Sequence, residues 1–241
     1  MRHMKINQRV FNRYIVPISI LLSLLMFLIA RLLWPPESGV YADFYNSISG
    51  LGDTEDNPIG YIFFQIASCI SACLFIPTLL YIHPKLKKLN KPLTYIGSFF
   101  FFIGFIGFLL VGVIPDDSIP ALNELTGGKF HEVCAILGVV GFLFASFFYF
   151  WPMKKDGGDQ INQKLLNIRA IIVWSAIILT AVGYGLGVLL YEETYGWCDE
   201  SWAVAGISPF FSFGLWERVL FGIMFLSIAM TGYIIPNSIE S

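Results

Sequence analysis

Charge is scarce in this chain of 241 residues. Asp, Glu, Lys and Arg make up 13% of it, whereas 56% is hydrophobic and the mean hydropathy is +0.69. A soluble globular chain carries about 25% charged residues, so the composition excludes an ordinary soluble fold. Cysteine is scarce too. Cys69, Cys73 and Cys134 fall within apolar segments and only Cys198 lies outside them, which leaves no pair for a disulfide framework. Cys69 and Cys73 are one helical turn apart, but the helix offers no further thiolate or imidazole, and they read as small packing residues. Of the histidines, His83 and His131 border opposite ends of apolar runs. About 30 Å of hydrocarbon separates those depths, so one haem b cannot bridge them. Ionisable residues are missing from the middle of the runs, where Gln65, Ser68 and Thr180 are uncharged, and this weakens a proton-coupled transporter. The glycines of Gly183-Tyr-Gly-Leu-Gly187 lie in an apolar run, not after a strand, and are no dinucleotide motif.

What is present is a set of six runs of roughly 20 apolar residues, long enough to span a bilayer as helices with every backbone group satisfied within the segment. They cover about 15–34, 59–82, 93–114, 130–151, 170–191 and 214–235. No linker or internal repeat divides them. The expected fold is therefore all-α, a single polytopic domain over residues 1–241 built as a six-helix transmembrane bundle. Val40-Tyr41-Ala42 resembles a signal-peptide cleavage site, but the first run is longer than a typical h-region and Pro35-Pro36 ends it well before Ala42, so it reads as a membrane span.

Basic residues give the orientation. Arg2, Lys5, Arg9 and Arg13 precede the first span; Lys85, Lys87, Lys88 and Lys91 fall between the second and third; Lys154, Lys155, Lys164 and Arg169 fall between the fourth and fifth. That places 12 of 15 on one side, with Arg31, Lys129 and Arg218 on the other, and the positive-inside rule puts both termini in the cytoplasm of a cell-membrane protein. The outer side holds 14 of the 17 acids, leaving Asp156, Asp159 and Glu240 inside.

The outer loops are long and rich in Gly, Pro and aromatic residues, and loops of this length usually carry function or structure of their own. Ionisable groups collect at the outer ends of the spans: Arg31, Asp116, Asp117, His131, Glu132, Glu217 and Arg218, with Asp53 and Asp56 nearby in the first loop. Such groups are costly at a membrane edge and are expected to face a cavity or one another. His131, Ala135, Gly138 and Ala145 share a helical stripe of small residues, which turns His131 into the bundle; Gly104 with Gly107 gives the third span a similar patch. Arg218, Gly222 and Ala229 share a stripe that turns Arg218 toward its neighbours, with Glu217 about 100° around the helix. A plain cluster of interfacial salt bridges explains the same residues.

Ser47-Ile-Ser-Gly-Leu-Gly-Asp53, Gly112-Val-Ile-Pro-Asp-Asp117 followed by His131, and Gly214-Leu-Trp-Glu-Arg218 together resemble a six-span prokaryotic membrane family catalogued as "domain of unknown function 998". The family usually has Ile-Ser-Glu-Leu-Gly where this chain has Gly50. It is distantly similar to the DRAM-like six-span proteins and to proteins linked with lipid remodelling; the resemblance implies architecture and a set of outer residues, without a reaction or cofactor. Two classes of function follow. One is binding of a membrane lipid or other amphipathic ligand at the outer ends of the helices by Arg31, Asp53, Asp117, His131, Glu217 and Arg218. The other is an intramembrane lipid-modifying hydrolase or transferase, with His131 and Asp116, Asp117 or Glu132 as its base. His131 is the only outer histidine, so a zinc site would need carboxylates to complete it, and no metal is assigned. Transport is a weaker third reading. Expected partners are membrane lipids and, through the small-residue faces, a second copy of the chain, with no nucleic acid.

Overall fold

The computed structural model describes residues 6–38, 47–115, 130–190 and 213–236, with side chains of residues 184–190 and 213 left aside. Six helices are long and apolar enough to cross a membrane: α1 (Gln8–Leu32), α2 (Gly60–Leu89), α3 (Lys91–Val113), α4 (Phe130–Asp156), α5 (Gln163–Leu190) and α6 (Phe213–Ile234). No strand occurs among the described residues. Large apolar side chains such as Leu21, Phe99, Ile171 and Tyr233 are more than half exposed around the bundle. A contiguous apolar exterior of this kind suits hydrocarbon, and the chain is a multi-pass membrane protein.

Four of the helices differ from the apolar runs at their ends on the face that carries both termini, called here the terminal face. Asn90 alone separates α2 from α3, and its side chain accepts the Leu93 N–H at 3.2 Å to cap α3. Asn162 caps α5 in the same way, accepting the Leu165 N–H at 3.1 Å. As a result Lys85, Lys87, Lys88 and Arg169, which the charge pattern assigns to loops, lie on helices, and Lys85 and Arg169 are buried. The Lys85 ammonium sits 3.5 Å from the centre of the Tyr81 ring. α2 is interrupted at Leu74. Pro77 has no N–H for the Cys73 carbonyl, which removes one bond of the ladder at that break.

α3 and α4 are the most closely packed pair. Gly104 and Gly107 face Gly138 and Gly141, with backbone against backbone, as the two small patches predict. α2 lies between α1 and α3, and a Ser71–Ser23 hydroxyl hydrogen bond of 3.1 Å ties it to α1 within the membrane. α5 rests chiefly on α6. Phe221 of α6 reaches Phe27 of α1 at 6.0 Å and Phe108 of α3 at 5.4 Å between ring centres, closing the bundle. On the terminal face Gln8 Nε2 donates to the Gly232 carbonyl at 2.6 Å and the Tyr81 hydroxyl to that of Ile235, so the start of α1 and α2 are both tied to the end of α6.

Candidate functional site

At the far face, opposite the termini, the first long loop folds back onto the helix ends. Ser49–Gly52 forms one tight 3-10 turn with Leu51 buried. Its start is held by α6, because the Glu217 carboxylate accepts the Ile48 N–H and also interacts with Ser49. Its end is held by Asn57, fully buried, whose amide donates to the carbonyls of Leu51 at 3.0 Å and Ala30 of α1 at 3.2 Å while its oxygen accepts the Gly60 N–H that opens α2. Asp53 Oδ1 accepts the N–H groups of Glu55 and Asp56 at 2.7 and 2.8 Å, shaping the turn that leads there. Gly52 lies flat on Phe64, and a Cβ at this position would sit 2.4 Å from the ring. At Gly50 a Cβ would meet only Ser47 Oγ at 3.4 Å, so the backbone accommodates the side chain that the related pattern carries there.

The other side of Phe64 leads to His131, whose ring centre is 6.3 Å away. His131 opens α4 and is 4% exposed, and neither ring nitrogen has a hydrogen-bond partner among the described residues. Its inward orientation is the one its stripe predicts. Cys134, Val111, Leu51 and Ala30 complete the apolar surroundings, with Trp34 and Phe27 at their margin. A buried imidazole normally has at least one partner, so this one is an exception with a chemical consequence. Glu132, the next residue, is exposed.

The remaining predicted residues divide. Arg31 closes α1 beside Ala30 and is half-buried, at the end of the helix that Asn57 ties down. Arg218, on the stripe with Gly222 and Ala229, is half-buried. Gly222 on that stripe is exposed with nothing near it, and Arg218 Nη1 donates back to the Gly214 carbonyl at 2.8 Å. Nearby, Trp216 is buried on α5, where it covers Gly183, and Glu217 carries the cross-link to the first loop. Asp116 and Asp117 lie outside the described residues. Among the described residues no three of His, Cys, Asp and Glu converge as metal ligands would.

Two features escaped the sequence reading. Asn57 was passed over for the charged residues around it, although an Asn-Pro pair before a helix is a start signal. Arg169 was placed in a loop because the apolar run begins at Ala170, although Asn162 at capping distance marks an earlier helix start. The terminal face also holds a chain of hydroxyls, from His83 Nδ1 to Ser98 Oγ at 2.6 Å and on to the Tyr149 hydroxyl at 2.9 Å, joining α2, α3 and α4.

No curated protein and no solved structure matches the chain. A family model does, and it covers the helices together with the turn, the cap and the histidine described above. The model is that of the "Protein of unknown function (DUF998)" family, it matches residues 17–233, and the chain belongs to that family.

Proposed function

We propose that the protein binds a lipid or another amphipathic ligand at the far face, with His131 as its polar contact. The observation that carries this reading is an imidazole 4% exposed with both nitrogens unpartnered among the described residues. An unsatisfied polar group in such a place costs about 1–3 kcal/mol. A ligand headgroup offering a donor or acceptor to the ring would offset that cost in the bound state. Arg31 and Arg218 at the same end supply positive charge for an anionic headgroup, and the Ser49–Gly52 turn, locked by Asn57 and Glu217, supplies a rigid wall. The hydrolase or transferase alternative needs a carboxylate beside His131; Glu132 is exposed, and Asp116 and Asp117 lie outside the described residues.

His131→Leu separates a binding role from a packing role. The variant removes the unsatisfied nitrogens, so in detergent and without lipid it should unfold at the same or a higher temperature than the wild type. It should also lose most of the co-purifying lipid or added amphiphile seen by native mass spectrometry. A variant that is less stable yet retains its ligand would show that the imidazole only packs.

The orientation proposed with this site puts the terminal face in the cytoplasm and His131 toward the outer leaflet, on the 12-to-3 division of basic residues. A membrane-impermeant maleimide should reach Cys198 in intact cells, whereas a cysteine replacing Lys88 should react only after permeabilisation. Labelling of position 88 in intact cells would reverse the orientation.

A further inference from the structure

Arg169 lies on α5 about two turns from its start, about 9 Å along the helix axis, and is 7% exposed. Its Nε donates to Ser227 Oγ of α6 at 2.6 Å and its Nη2 to Ser146 Oγ of α4 at 3.3 Å. Both partners are neutral, and no charged group of the described residues acts on the guanidinium. A guanidinium has five N–H donors and a fixed positive charge, and two hydroxyls leave the charge itself uncompensated. Buried charges in a membrane domain pair with an opposite charge or mark a ligand path.

The surroundings indicate what supplies the missing charge. Each serine accepts from Arg169 and retains a hydroxyl proton to donate. The three side chains thus present the donor set that binds phosphate oxygens: a planar fork flanked by two hydroxyls. One helical turn farther into the membrane, Val173, Phe142, Ile223 and Met224 line an apolar crevice that continues past Ile177 and Phe221 between α4, α5 and α6. The crevice is narrow, with a cavity volume of about 20 Å³, and one of its walls is α5, which rests chiefly on α6. On the side toward the terminal face stand the exposed Lys154, Lys155 and Lys164, with Lys154 Nζ donating to Asn167 Oδ1 at 3.0 Å. Basic residues at a membrane surface concentrate anionic headgroups.

We propose that Arg169, Ser146 and Ser227 form a binding site for a phosphate group, supplied by an anionic phospholipid whose acyl chain occupies the crevice between α4, α5 and α6. The site is separate from the His131 cluster: it is built from other residues, near the opposite face, and depends on its own charge.

The test uses the full-length protein purified in a neutral detergent, with thermal unfolding followed after addition of phosphatidylglycerol, phosphatidylcholine or inorganic phosphate. Phosphatidylglycerol should raise the wild-type melting temperature by about 5 °C or more, with little effect from the other two. Arg169→Gln should abolish that rise while melting no lower than the wild type in plain detergent, because it removes an uncompensated buried charge. An equal rise with inorganic phosphate alone, absent in Arg169→Gln, would support the phosphate site and overturn its lipid source. A full rise in Arg169→Gln, or no rise in the wild type with either anion, overturns the proposal. A lower melting temperature in Arg169→Gln with the rise intact would show that the arginine is only a strut. Should Arg169→Gln not assemble, Ser146→Ala with Ser227→Ala keeps the charge and should weaken the lipid response by about tenfold; an undiminished response overturns the proposal. His131→Leu should retain the full response, so the two sites fail independently.

Discussion

Gly107→Leu should prevent α3 and α4 from docking and lower stability by about 3 kcal/mol or more. A Cβ at this position would lie 2.4 Å from the Gly138 nitrogen and 2.7 Å from the Cys134 carbonyl oxygen, both backbone atoms that no rotamer change can move aside. The whole of α4 would have to shift. His131 and Cys134 stand on the same face of α4, so the shift would also displace the far-face cluster. Lipid offers little hydrophobic drive for helices to associate, so this pair depends on close van der Waals contact that glycine alone permits. Gly222→Leu is the control, since its Cβ would meet nothing within 4 Å on an exposed part of α6. Thermal unfolding in detergent should show a large drop for Gly107→Leu and a change within about 0.5 kcal/mol for Gly222→Leu. Similar curves for the two variants would mean that α3 and α4 do not meet at these glycines.

Asn57→Leu should be nearly as damaging and should act on the far face first. The substitution has a similar volume but strands three buried backbone groups, the carbonyls of Ala30 and Leu51 and the N–H of Gly60. Each orphaned group costs about 1–3 kcal/mol, and the loss is expected at about 3–5 kcal/mol in all. Asn57→Asp retains the acceptor for Gly60 but loses both donors and buries a charge, so it should not rescue. Hydrogen exchange should localise the effect: amides of the Ser49–Gly52 turn and the first turn of α2 lose protection while those of α5 do not. Uniform loss across all six helices would mean that Asn57 contributes only to global stability. Ser49–Gly52 also depends on Glu217, so Glu217→Gln should produce a smaller version of the same pattern.

The architecture was legible because it follows from a one-dimensional quantity. Six runs of apolar residues give six membrane helices, since an unsatisfied backbone group in hydrocarbon costs several kcal/mol and the helix satisfies all of them locally. The small-residue patches on the third and fourth spans were legible for a related reason: their periodicity identifies a face, and two glycine faces pack closely. The inward turn of His131 followed from the same stripe. The stripe on the sixth span does not pack at Gly222, which is exposed, while the neighbouring Trp216 is buried against Gly183 of α5.

Charge told less about the site than about the spans. A search for ionisable residues points to Glu217, His131 and Asp53, and the Asp53 carboxylate also shapes a local turn. It overlooked the neutral Asn57, whose importance comes from three partners distant in the chain or hidden in backbone. Arg169 belongs to the basic residues of the terminal face but lies deeper than the loop to which the charge pattern assigns it. Hydropathy averages cannot tell an arginine at the edge of a run from one two turns inside a helix.

Sequence alone thus determined the number of spans, their helical form, the sidedness of charge and the family, because each depends on local composition, periodicity or a short motif. Only the tertiary structure decided that a neutral asparagine and a glutamate lock the first loop, that His131 has no hydrogen-bond partner among the described residues, and that Arg169 is buried between two serines. Those facts depend on which helix faces meet and at what depth, and side chains 58 or 169 positions apart come into contact only when all six helices have packed.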